Sequence, residues 1–138
     1  MILFDTDTLT HFSYGNENIR RRVERAAGET LAVAVVTRDE ALGGRAQAVL
    51  KTASEDELRT AVERYRRTEE MLRDFELVDF SEAAIDHFGR LLRQKKLKMR
   101  RGDMLIACIA LADDTLLVTR NTKDYKNVNV LRIENWVD

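Results

Sequence analysis

Met1-Ile2-Leu3-Phe4-Asp5-Thr6-Asp7-Thr8-Leu9 decides how this chain is read. The apolar residues Ile2 to Phe4 have the length and character of a short buried strand, and the run ends abruptly on Asp5, a carboxylate placed where such a strand emerges at one edge of a sheet. Two more acids sit in comparable positions. Glu40 follows the apolar run Leu31 to Val36, and Asp103 immediately precedes Met104 to Ala112. The segments that these acids abut must pack together to form a core, so neighbouring segments bring the acids together. Converging carboxylates repel one another and resist ionisation unless a cation compensates them, which makes a small divalent metal ion the natural occupant of such a site.

The chain has 138 residues and a formal net charge of -1, with 44% hydrophobic and 34% charged residues. That length matches one complete core, so a single domain spanning 1-138 is expected. No Pro-rich, Gly/Ser-rich or repeated stretch marks a linker. The longest apolar run, Met104 to Ala112, is far shorter than the roughly 20 residues that cross a bilayer, so a soluble cytoplasmic protein with no membrane association is expected. The single cysteine, Cys108, lies inside that run and reads as a buried thiol. The small net charge conceals an uneven distribution: Arg90, Arg93, Lys95, Lys96, Lys98, Arg100 and Arg101 follow one another without an intervening acid. A cationic surface beside an anionic pocket is implied.

Hydrophobic spacing predicts helices over about 8–14 and 17–27, the second closed by Gly28 as a C-cap. Leu31 to Val36 is β-branched and apolar, hence a strand; Thr37 with Glu40 three residues on has the spacing of a capping box for the next helix. A box glutamate binds a backbone N–H and needs no metal, so spacing alone leaves both roles open for Glu40. Two long helices, about 39–51 and 57–74, read as a helical hairpin. Leu58, Val62, Tyr65 and Leu72, with Leu9 and Phe12 on the first helix, supply more apolar length than a monomer of this size obviously needs, which suggests a partner or a second copy. Leu77-Val78 forms a strand, Ser81 caps a helix over about 83–96, and Met104 to Ala112 is apolar on all sides and therefore a buried helix. Strands over 115–118 and 130–133 flank a turn or short helix. Short apolar strands alternating with helices indicate an α/β fold, a three-layer α/β/α sandwich around a short, mostly parallel sheet. In such sheets ligands gather beyond the carboxyl ends of the strands, where Asp5, Glu40 and Asn121 fall.

Taken in order, Met1 to Leu9, Val36-Thr37-Arg38-Asp39-Glu40-Ala41-Leu42, Arg101-Gly102-Asp103-Met104-Leu105-Ile106-Ala107 and Leu117-Val118-Thr119-Arg120-Asn121-Thr122-Lys123-Asp124-Tyr125 resemble PIN-domain ribonucleases. With the ending Leu131 to Trp136, the chain is most similar to the VapC-like toxins of type II toxin–antitoxin pairs. That resemblance implies a PIN-like fold and a metal-dependent endoribonuclease that hydrolyses RNA phosphodiesters, forms a homodimer and is held inactive by a small cognate antitoxin. Carried over by residue, it implies Asp5, Glu40 and Asp103 as catalytic metal ligands for Mg²⁺ or Mn²⁺. Asn121 stands where the wider pattern has a fourth acid; an amide can ligate or orient water but brings no charge, and Asp124, one turn later, is either the missing carboxylate or an ordinary surface turn residue. Hard oxygen ligands of this kind suit those ions better than zinc. Phosphate contacts require basic residues near the acids, and Arg45, Lys98, Arg100, Arg101 and Arg120 are the candidates.

Two other readings use the same residues. Asp5-Thr6-Asp7-Thr8 also fits the Asp-x-Asp-x-Thr start of haloacid-dehalogenase-like phosphatases, with Asp5 as nucleophile, Asp7 as general acid and Asp113-Asp114 as distal acids. Alternatively the acids bind metal without catalysis and the helices serve as an interaction module.

Overall fold

The computed structural model describes all residues, 1–138. Strand β1 (Ile2–Phe4) lies at the centre of a five-stranded parallel sheet, flanked by β2 (Leu31–Ala34) and β4 (Leu116–Val118), with β3 (Glu76–Val78) and β5 (Ile133–Glu134) outermost in the order β3-β2-β1-β4-β5. Strand side chains alternate between faces, and here both faces are covered. Leu3, Ala32, Ala34 and Leu117 enter a core beneath α5 (Glu82–Leu92) and α6 (Arg101–Ala112). Ile2, Phe4, Val33 and Val118 enter a second core with Leu9 of α1 (Thr6–Ser13), Ile19 of α2 (Glu17–Arg25) and Trp136. The result is the three-layer α/β/α arrangement expected from the sequence. Helices α3 (Val35–Leu50) and α4 (Glu55–Leu72) pack against each other as the expected hairpin. A short α7 (Thr122–Tyr125) follows β4.

Phe4 is the hub of the second core: it is fully buried and meets Phe12, Phe75 and Trp136 at ring-centroid distances of 5.8, 5.6 and 5.8 Å. The contacts with Phe12 and Trp136 are edge-to-face, and such pairs add ~0.5–1.5 kcal/mol each beyond their burial. Leu9, Phe12 and Leu72 are therefore occupied by the protein's own core, which corrects their reading as spare apolar surface; Leu58, at 44% exposure, stays at the surface.

Several boundaries differ from the sequence reading. Strand β2 stops at Ala34 and helix begins at Val35, although Val35 and Val36 are β-branched. The sheet is only as deep as β1, whose Ile2, Leu3 and Phe4 pair with Leu31, Ala32 and Val33, and Val36 is needed in the first core. Thr37 consequently lies inside the helix, not at its cap, and no side chain caps α3. The capping-box reading of Thr37 and Glu40 is thus wrong. A related cap occurs instead at α4, where the Ser54 hydroxyl accepts from Glu57 N and Glu57 Oε2 accepts from the N–H of Ala53, one residue ahead of the cap, at 2.7 Å. Helix α2 ends at Arg25, with Gly28 beyond the cap at φ +95°. Helix α5 ends at Leu92, before most of the basic run, and β5 begins only at Ile133 because Val130, at φ +69°, turns the chain. No helix is long and apolar enough to cross a membrane.

Candidate active site

The strand order reverses at β1: β2 and β3 build the sheet in one direction, β4 and β5 in the other. At such a switch point the loops leaving neighbouring parallel strands part and leave a crevice. Asp5 leaves β1 there and Thr119 leaves β4, and the Asp5 N–H donates to Val118 O at 3.1 Å. Asp5 is 3% exposed. Its carboxylate caps α1, accepting from Thr8 N at 2.8 Å, and accepts from Thr119 Oγ1 at 2.6 Å. Burial pushes the Asp5 pKa up; the hydrogen bonds from Thr119 and Thr8 oppose that rise, and the neighbouring charge of Asp7 adds to it. Asp5 is thus a carboxylate kept from water by its fold and oriented by two threonines.

The other acids gather around it from separate elements. Glu40 reaches the site from the second turn of α3, where Thr6 Oγ1 donates to Glu40 Oε1 at 2.9 Å and lies 3.2 Å from Thr37 Oγ1. Asp103 comes from the first turn of α6. The start of α6 passes so close to Glu40 that a Cβ on Gly102 would lie 3.5 Å from Glu40 Oε1, an ordinary contact that a longer side chain would turn into displacement. Asn121 bridges the two remaining acids, its Nδ2 donating to Asp124 Oδ2 at 2.9 Å and to Asp103 Oδ2 at 3.4 Å. The amide therefore turns its N–H groups to the carboxylates, and the structure brings Asp124 into the cluster. Beneath lies Tyr125, fully buried, whose hydroxyl has no hydrogen-bond partner. Its pKa is driven far up, first by burial and then by the nearby charges of Asp103, Asp5 and Glu40.

None of Asp5, Glu40, Asp103 or Asp124 forms an ion pair with a Lys or Arg. No three His, Cys, Asp or Glu side chains are grouped as a ready-made metal cage. Their oxygens are instead engaged with Thr8, Thr119, Thr6 and Asn121.

The basic candidates are dispersed. Arg45 Nε donates to Thr68 Oγ1 at 3.1 Å on the α3–α4 side of the site. Arg101 lies over the Phe88 ring at 5.3 Å, Arg100 caps α6 through its backbone, and Lys98 is exposed in the segment before it. Arg120 pairs with Asp138 at 3.3 Å, which turns it from the acids.

The phosphatase reading fails on placement. Asp7 is exposed on α1 and faces His11 at 3.7 Å. Asp113 and Asp114 precede β4 and line a surface pocket with Met1 and Ile2, at the sheet edge opposite Asp5. What the sequence did not disclose is the threonine scaffold, Thr6, Thr8, Thr37 and Thr119, and the role of Tyr125. The visible signal was that Thr119 follows β4 as Asp5 follows β1.

The PIN-domain family profile matches residues 2–131. This chain belongs to the PIN-domain family. Ribonuclease VapC2 of Rickettsia felis is 41% identical over 64 residues, an alignment that covers 44% of this PIN domain and only 48% of that relative's length. Over whole chains, the structure of VapBC2 from Rickettsia felis bound to a DNA fragment from their promoter superposes with a TM-score of 0.82 at 26% identity, covering 99% of both chains. VapBC-1 from nontypeable Haemophilus influenzae superposes at 0.80 over 100% of both chains, and DNA-bound VapBC from Salmonella typhimurium at 0.79 over 99% of both; at 20% and 22% identity these two establish a shared PIN fold alone.

Proposed function

We propose that this PIN domain is a divalent-metal-dependent endoribonuclease, the toxin of a toxin–antitoxin pair whose partner is a small antitoxin. The observation that carries the reading is the position of Asp5, buried at the switch point of the sheet, with Glu40, Asp103 and Asp124 arriving from three other elements and no cation of the chain to balance them. The likeness to Ribonuclease VapC2 and to VapBC complexes supports the activity and the partner.

The donor set fits Mg²⁺ or Mn²⁺: every candidate ligand is a hard carboxylate oxygen, Asp5 is buried, and no Lys or Arg pairs with any of the four acids. Asp5, Asp103 and Glu40 would hold the ion, with Asp124 as an additional carboxylate. Bound there, such an ion polarises a phosphoryl oxygen and eases deprotonation of a water. The chain's own residues prepare the site. Thr119 and Thr8 hold Asp5 in one orientation and favour its charged form, Thr6 keeps Glu40 turned toward α1, and the Asn121 amide spaces Asp103 from Asp124. Tyr125 and the surrounding core exclude water from the base of the site.

Purified chain freed of any partner is expected to cleave RNA with Mg²⁺ or Mn²⁺, to stop on addition of EDTA, and to lose activity as Asp5→Asn or Asp103→Asn. Folded variants that both cleave at the wild-type rate would sink the assignment.

A further inference from the structure

Beside the acids, the end of α1 and helices α2, α3 and α4 enclose a cleft of about 560 Å³ whose wall carries Arg20, Arg45, Arg64 and Arg67. Its floor is Phe12 and Met71, and Tyr14, 74% exposed, stands at its rim. The cleft is continuous with a second one of about 310 Å³: both are lined by Ser13, Tyr14, Arg45, Thr68 and Met71, and the second extends to Thr6 and Glu40. One groove therefore runs from Glu40, at the edge of the acid site, to a cluster of guanidinium groups. Sequence distance hides this cluster, because its members come from three helices.

The arginines are held in place and are largely uncommitted. The buried Thr68 hydroxyl donates to Arg64 O at 3.0 Å and accepts from Arg45 Nε, which fixes the Arg45 guanidinium against α4. Arg20 lays its guanidinium against Gly15, where a Cβ would lie 3.3 Å from Nη2; the φ of +81° there favours glycine in the turn between α1 and α2. Of the four, only Arg67 has an acidic partner, Glu63.

We propose that this groove is a binding site for single-stranded RNA, with Arg20, Arg45 and Arg64 holding backbone phosphates and Tyr14 offering its ring to a base. The proposal rests on the nuclease reading for the direction in which the strand runs. Guanidinium forks match phosphate oxygens geometrically and attract them over a distance, and an exposed aromatic beside them is the usual platform for an unpaired base. Carboxylates by themselves repel a polyanion, so the opposite charge a substrate needs must be supplied nearby, and this groove supplies it on the Glu40 side of the site. An acidic peptide would satisfy the arginines but would meet another carboxylate where the groove continues; a polynucleotide uses both ends.

The test compares Arg20→Gln/Arg64→Gln with a control of equal charge change, Arg59→Gln/Arg132→Gln, whose arginines pair with Asp56 and Asp114 away from the groove. Binding of a short 5′-fluorescein-labelled single-stranded RNA is followed by anisotropy in EDTA across a KCl series, and cleavage of the same RNA is followed with Mn²⁺. Each lost phosphate contact lowers the salt slope by about 0.7, which at about 0.1 M salt is roughly fivefold in affinity. The groove pair is expected to bind about 25-fold more weakly, with a slope reduced by about 1.4 and a raised KM at unchanged kcat, while the control pair stays near wild type. Equal behaviour of the two pairs overturns the proposal, as does wild-type protein that fails to bind the RNA. Groove variants that keep RNA affinity but lose affinity for a polyglutamate peptide overturn it in favour of a protein partner. Wild-type protein that binds with the full slope yet cleaves nothing overturns the nuclease reading and upholds the groove.

Discussion

Replacing Thr119 by valine exchanges one buried hydroxyl for a methyl group of similar volume. That hydroxyl donates to Asp5 Oδ2 at 2.6 Å and accepts from the Asn121 N–H at 2.9 Å, in a residue with no solvent exposure. A hydrogen bond to a charged acceptor contributes ~1.5–3 kcal/mol, and a buried donor left without a partner costs ~1–3 kcal/mol. The added methyl recovers about 1 kcal/mol through apolar burial. The net destabilisation of Thr119→Val is therefore about 3 kcal/mol, which for a chain of this length lowers Tm by roughly 10 °C. The cost also depends on pH. Thr119 stabilises the charged carboxylate, so its loss weighs most above the folded pKa of Asp5 and fades as the pH falls and Asp5 is protonated; the acid limb of the activity profile should move to higher pH. Thr119→Ser keeps the hydroxyl and serves as the control, losing about 1 kcal/mol. Urea denaturation at pH 8 and pH 5 with a pH–rate profile for each variant measures all of this. A valine variant within about 1 kcal/mol of wild type at pH 8, with an unshifted acid limb, would refute the claim that Thr119 orients and charges Asp5.

Asp5→Asn should unfold at an equal or higher urea concentration than wild type at pH 8 while losing activity. Burial raises the folded pKa of Asp5 above 3.8, so the stability associated with its neutral form is present below that value and lost as pH rises through the folded pKa; asparagine avoids the loss, and its advantage should vanish near pH 4. A variant clearly less stable than wild type at pH 8 would mean that Asp5 is structural rather than a strained site residue. Tyr125→Phe removes a buried hydroxyl without a partner and should raise stability by about 1 kcal/mol in calorimetry; a loss of similar size would show that the hydroxyl is bonded within the acid site. Trp136→Ala empties the pocket against Phe4 and frees the Glu134 carboxylate that its Nε1–H engages at 2.7 Å, so chemical denaturation should register a loss of about 3–5 kcal/mol. A change below about 1 kcal/mol would show that the chain's end does not close the second core.

The layer order was legible because the strands announce themselves. Ile2-Leu3-Phe4, the apolar residues before Val35 and the run after Thr115 are too hydrophobic to face water on either side, and each is separated from the next by amphipathic helices. The buried helix of Met104 to Ala112 was equally plain. Boundaries were less so. Val35 and Val36 favour extended backbone locally, yet the depth of a three-residue central strand ends the sheet before them, and no window of sequence contains that depth. The same depth decides the role that spacing left open for Glu40: with Thr37 inside α3 there is no capping box there, and Ser54 caps α4 instead.

Site chemistry divides along the same line. Sequence alone determined which residue types could serve: an acid directly after the first strand, others beside later apolar runs, and an amide after β4, because burying a strand forces the next polar residue to the sheet edge. Only the tertiary structure decided how they meet. The strand reversal at β1 sets Asp5 beside Thr119, the approach of α6 to α3 puts Asp103 near Glu40, and Asn121 joins Asp103 to Asp124. Arg20, Arg45 and Arg64 become a single basic wall by the packing of three helices. Contacts between residues far apart in the chain depend on helix crossings and strand order, which side-chain packing across the whole molecule selects and local periodicity does not encode.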